Sequence, residues 1–201
     1  MKRLNLYVVG LLIAAMMSAG CGDKDDENTL VSDAFDGKIT VTTVVRGNNN
    51  IKTIKAVLKN EVIASGDYVN GGFTLTLPSE LDIKYFSTNA GDMFEEEKGI
   101  NVSEPTAQIA EFTFLLAYDN SDNRLNDLWH GRNLVTVRHV YTDKDVTATG
   151  NFVDDYGDKR IYSVSLKKGW NKLYYDNTVR TSDGEHITTK SISDLSWWYG
   201  T

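Results

Sequence analysis

Asp119, Ser121, Asn123 and Asp127 offer oxygen ligands at nearly alternate positions, the spacing with which a loop wraps a calcium ion. Arg124, however, stands where such a loop turns on glycine, and His130 where it closes with a bidentate glutamate. The segment therefore reads as a polar connection between strands. His130, His139 and His186 are the only histidines. The first two are 9 residues apart, off any common helical face and with no acid at a recurrent ligand spacing, so no metal site is expected from them. They read as surface or partly buried side chains. Asp143, Asp145, Asp154, Asp155 and Asp158 could supply the carboxylate pair of a glycoside hydrolase, which needs two groups roughly 5–9.5 Å apart across a cleft. Here they sit in turn-like sequence, where solvated charge needs no catalytic role. Glycine-rich phosphate loops, a Gly-x-Ser-x-Gly elbow and a His-Glu-x-x-His helix are all missing, so no catalytic residue and no cofactor is expected.

The aromatic residues are the better lead. In Leu195-Ser196-Trp197-Trp198-Tyr199, alternation places Leu195, Trp197 and Tyr199 towards a core and turns Trp198 outward beside Ser196. Asn171, Leu173 and Tyr175 likewise share one face, leaving Trp170 and Tyr174 beside Lys172 on the other. Trp170, Tyr174 and Trp198 are thus the candidate ligand-contacting rings, because a flat exposed ring can stack on a sugar face or anchor a protein interface. The other reading is that these rings cap the sheet or meet a neighbouring strand, as most aromatic rings do.

The elements that must position these residues are strands. Period-two alternation runs through Ile39, Val41, Thr43 and Val45, through Ile54, Ala56 and Leu58, and through Phe73, Leu75 and Leu77 up to Pro78. Further β-like runs cover residues 109–118, 134–141, 146–149, 160–166, 171–175 and 195–199. Turn signals at 47–50, 70–72, 119–126 and 168–169 separate them. Only 92–97 offers a helical turn or two. An all-β fold is expected: an antiparallel β-sandwich, with an open meander barrel as the alternative. The run from Val62 to Asn70 aligns residue by residue with the run from Val146 to Asp154. Either two related modules share the sandwich, as halves 37–120 and 127–201, or hairpins use the same turn chemistry twice.

The N-terminus carries an address. Lys2 and Arg3 precede an apolar run over 7–17, too short to cross a hydrocarbon core, then Ser18, Ala19 and Gly20. Cys21, the only cysteine, follows directly and is the expected lipidation site. Residues 1–20 thus read as a lipoprotein signal peptide, 21–36 as a lipidated cysteine with a flexible acidic tether, and 37–201 as the body. Removal of Lys2 and Arg3 takes the net charge from −7 to −9, which argues against nucleic acid or anionic lipid as a partner.

Ser18-Ala19-Gly20-Cys21 resembles a lipobox, although Ser18 stands where an aliphatic residue is usual. Lys24-Asp25-Asp26 resembles the export signal of surface lipoproteins of Bacteroides-like bacteria. In the body, the strand-turn motifs GGFTLTLP (residues 71–78) and LKKGWN (166–171), with 140–146 and Gly150 between them, resemble a family of such lipoproteins whose activity is uncharacterised. The resemblance implies a palmitate-type lipid anchor in the outer membrane, facing the medium. It brings a shape and no catalytic residues. The function expected is non-catalytic binding or adhesion, with a glycan as one ligand class. A structural accessory of an envelope complex is the alternative, and a cryptic hydrolase the second.

Overall fold

The computed structural model describes Leu30 and residues 35–178 and 184–200. The signal segment and Cys21 lie outside the described residues. Sixteen strands are described. The first five are β1 (Lys38–Val41), β2 (Val44–Val45), β3 (Thr53–Leu58), β4 (Glu61–Val69) and β5 (Gly72–Thr76). Then come β6 (Thr88–Asn89), the one-turn helix α1 (Ala90–Met93), β7 (Asn101–Val102), β8 (Gln108–Phe112) and β9 (Phe114–Tyr118). The rest of the chain forms β10 (Arg124–Arg132), β11 (Val135–Thr142), β12 (Val146–Val153), β13 (Lys159–Leu166), β14 (Gly169–Asp176), β15 (Glu185–Thr188) and β16 (Ser196–Tyr199).

The protein is all-β, as the alternation implies, and its large sheet is not closed into a barrel. Most pairs are antiparallel. The exceptions are β13 with β15 and β2 with β16, which run parallel. The apolar run over 109–118 is two strands rather than one. It breaks at Thr113, sending β8 to β11 and β9 to β3 and β10. The polar stretch read as part of a calcium-like loop becomes, from Arg124 onward, the nine-residue strand β10.

Local chemistry sets the hairpins. Lys59-Asn60 and Asn70-Gly71 each carry positive φ at both positions (46° and 66°, 52° and 87°), the geometry of a two-residue turn that suits the twist of paired strands. The LKKGWN segment is tied by its own asparagine. Asn171 is buried, accepts the Lys167 N–H (2.9 Å) and donates to the carbonyls of Lys167 (2.7 Å) and Gly169 (2.9 Å).

Two apolar cores lie on opposite faces of β8, β11 and β14. Successive strand residues point to opposite faces, and here both faces are covered. Ala110, Phe112, Tyr141 and Trp170 enter a first core with Ile54, Leu75, Leu115 and Leu128. Ile109, Val140 and Leu173 enter a second with Phe94, Ile100, Val164 and Leu166. The C-terminal strand β16 returns to pair with β10 and β2, so the first core is enclosed by both ends of the chain. Phe35, placed in the tether by composition, packs against that core. The aligned strands β4 and β12 do not pair with each other: β4 lies between β3 and β5, and β12 between β7 and β13.

Candidate functional site

Of the three rings expected to face outward, two do not. Trp170 and Tyr174 are only 6% and 3% exposed. They stand on the face of β14 away from Leu173, as alternation requires, but the first core covers that face too at Trp170. Phe112 and Tyr141 meet the Trp170 ring edge-on at 5.6 and 5.4 Å, and its Nε1 donates to the Pro78 carbonyl (2.8 Å). Trp170 and Tyr174 are therefore packing residues.

Trp198 remains partly exposed, and the structure places other rings beside it. Register puts Phe114 of β9 opposite Trp129 of β10, Trp129 opposite Trp198 of β16, and Trp198 level with Val45 of β2. Residues directly opposite in a sheet share a face. A row of Phe114, Trp129, Trp198 and Val45 thus crosses four strands. At about 4.8 Å per strand it spans roughly 14 Å. Phe114 is 45% exposed. The two indoles lie nearly parallel, 16° apart with ring centres 5.8 Å from each other.

The row is held in place. Trp198 Nε1 donates to the Gly131 carbonyl (3.1 Å), which fixes the ring. The Arg46 guanidinium stands 5.9 Å from the Trp198 ring centre. Arg46, Asn133 and Gly200 join both indoles around a shallow cleft of about 270 Å³. The arrangement is a flat apolar strip with a guanidinium and an amide at its rim. Trp129 was not among the residues singled out from sequence. Residues 125–130 (LNDLWH) carry no period-two alternation, so the sequence offers no strand signal for Trp129.

The other candidates resolve as structure. Asp119 accepts the backbone N–H groups of Ser121 (2.8 Å) and Asn123 (2.9 Å) and the Asn123 side-chain amide (3.1 Å). Those bonds, from Asn123 first, hold its carboxyl below the usual range. Lys55 pairs with Asp122. The loop thus directs Asp119 and Asp122 at its own backbone and at Lys55. Asp143, Asp145 and Asp154 likewise accept from the backbone N–H groups of Gln108, Lys168, and Tyr156 and Asp158. Among the described residues, no group of three or more His, Cys, Asp or Glu is placed to hold a metal ion.

His130 and His186 are partly buried, and His139 differs from expectation. His139 on β11 is buried at 1% exposure, its ring stacked on Phe112 at 4.9 Å. His130 stacks on Trp197 at 4.9 Å, and the two imidazoles lie 6.1 Å apart. Burial, then the Lys172 charge, pushes His130 down to about 4. Burial first, then His130 and Lys172, holds His139 well below 6.5. His186 sits apart on β15.

Compared with protein-family models, curated proteins and solved structures, the chain matches none. The functional reading therefore rests on the site itself.

Proposed function

We propose that this chain is a non-catalytic binding protein, held on the outer membrane through lipid on Cys21 and facing the medium, that binds a glycan chain along the Phe114–Trp129–Trp198 row. The in-register strip carries the proposal. Flat rings stack on the apolar C–H face of a pyranose, and three rings on adjacent strands, roughly 10 Å from first to last, are long enough for more than one sugar ring. The Trp198 hydrogen bond lowers the ordering cost of binding. Arg46 and Asn133 supply donors for hydroxyl groups at the rim.

The test is a glycan array and titration calorimetry on the purified chain. A neutral oligosaccharide is expected to bind, and Trp129→Ala and Trp198→Ala each to weaken it by about tenfold or more while leaving the melting temperature nearly unchanged. Cys21→Ser is expected to release the chain from the membrane fraction. Binding that survives loss of both indoles would remove the row as the site. With no glycan bound at all, the same apolar strip fits better as a docking face in an envelope complex.

A further inference from the structure

The opposite face of β10 and β16 holds a second, chemically different cleft. It encloses about 580 Å³, within the ordinary range for a small-molecule site, beside an edge of β1 that has no strand partner among the described residues. Lys38, Lys172, His130, His139, Phe35 and Trp197 line it, together with hydroxyl groups at Thr40, Thr42, Thr43 and Ser196. None of its lining residues is an acid, in a chain with 28 Asp and Glu against 21 Lys and Arg. The neighbouring Asp36 turns its carboxylate onto the Lys38 backbone N–H (2.9 Å). The Lys172 ammonium lies 5.0 Å from the Phe35 ring centre and forms no ion pair among the described residues.

The imidazoles are unpaired as well. Neither ring nitrogen of His139 has a hydrogen-bond partner, nor does Nδ1 of His130. Buried polar atoms are paired in the great majority of folded proteins, and three of the four orphaned side-chain atoms among the described residues gather beside this cleft, the fourth being Nε2 of His186. Ile39, Val41 and Leu195 add apolar lining between the charges.

We infer that this cleft is a binding site for a small organic carboxylate with an apolar body. Lys172 and Lys38 take the carboxylate, Phe35 and Trp197 cover the body, and His130 and His139 hydrogen-bond its polar groups as the ligand closes against them. Uncharged imidazoles can both donate and accept, so they suit hydroxyl or amide groups and leave the charge to the lysines. The apolar walls separate this ligand class from inorganic phosphate, which has nothing to place against them.

The experiment is a titration of the purified full chain at pH 7.5 with 4-hydroxybenzoate, 4-hydroxycinnamate and 4-hydroxycyclohexanecarboxylate, their amides, and inorganic phosphate, read by calorimetry and tryptophan fluorescence. At least one carboxylate is expected to saturate below about 1 mM, with its amide weaker by about tenfold or more. Lys172→Gln is expected to lose a similar factor at an unchanged melting temperature. Should that variant not fold, Lys38→Gln, whose side chain is exposed, carries the same test. Trp198→Ala is expected to leave carboxylate binding intact, since its ring is on the other face of the sheet, so the two sites fail or succeed separately. Absence of saturation by all three acids overturns the inference, as do amides or phosphate binding equally well, or lysine variants that change nothing.

Discussion

A buried hydrogen-bonding group left without a partner costs about 1–3 kcal/mol, and His139 carries two such nitrogens. Keeping its imidazole uncharged avoids the far larger cost of a buried cation. The consequence is a pH dependence with a definite sign. In the unfolded chain these imidazoles titrate near 6.5, whereas folding lowers His130 to about 4 and His139 well below 6.5. The unfolded state therefore binds more protons once the pH drops below 6.5. Stability is full above that value and falls as the pH is lowered, by up to about 1.4 kcal/mol per pH unit for each imidazole. The carboxylates held low by hydrogen bonds, such as Asp119 and Asp145, lose their contribution only in more acidic solution. Urea unfolding between pH 7.5 and 5 is thus expected to show a falling midpoint, and His139→Phe to flatten the slope. A midpoint independent of pH across that window would mean that both imidazoles take up a proton in the folded protein as readily as in the unfolded chain.

Among the elements, β4 and β12 pose the question raised by their aligned sequences. Each has a glycine at the matching place, Gly66 and Gly150, but for different reasons. A Cβ on Gly66 would stand 2.1 Å from the Thr74 carbonyl oxygen of the neighbouring β5. A Cβ on Gly150 would meet only the end of the flexible Ile100 side chain, tightly at 3.3 Å, yet its φ of +136° is one that side-chain-bearing residues rarely adopt. One glycine answers a close approach and the other a backbone dihedral. Gly66→Ala and Gly150→Ala are each expected to cost about 1–3 kcal/mol, through overpacking in the first and dihedral strain in the second. Guanidinium unfolding measures both, and a loss confined to one variant would remove the stated constraint at the other.

At the level of the whole molecule, the sharing of β8, β11 and β14 between two cores couples them. Trp170 and Trp197 lie in the first core, and Trp129 and Trp198 lie on the outer face of strands that enclose it. Tryptophan fluorescence therefore reports the first core. Leu173 lies in the second and is fully buried. Leu173→Ala is expected to cost about 2–5 kcal/mol. It is also expected to shift the fluorescence transition together with far-ultraviolet circular dichroism, as one cooperative step. Two separate transitions would show that the cores melt independently.

Period-two patterns in segments such as 54–58 and 73–77 were enough to establish the all-β class and most strand positions, because alternation is a local property of a half-buried strand. Asn70-Gly71 marked a hairpin for the same local reason, a turn that needs positive φ. The candidate site was legible only at Trp198. Alternation says that Trp170 and Leu173 point to opposite faces, but not that a second layer covers the outer one. That covering comes from Phe112, Tyr141 and Pro78, up to 92 residues away in the chain. Trp129 joined Trp198 only because β16 pairs with β10, and His130 met His139 only because Trp197 of β16 packs against both rings. Burial, and the charge and hydrogen-bonding state that follow from it, depend on contacts between distant segments, and those the tertiary structure decided.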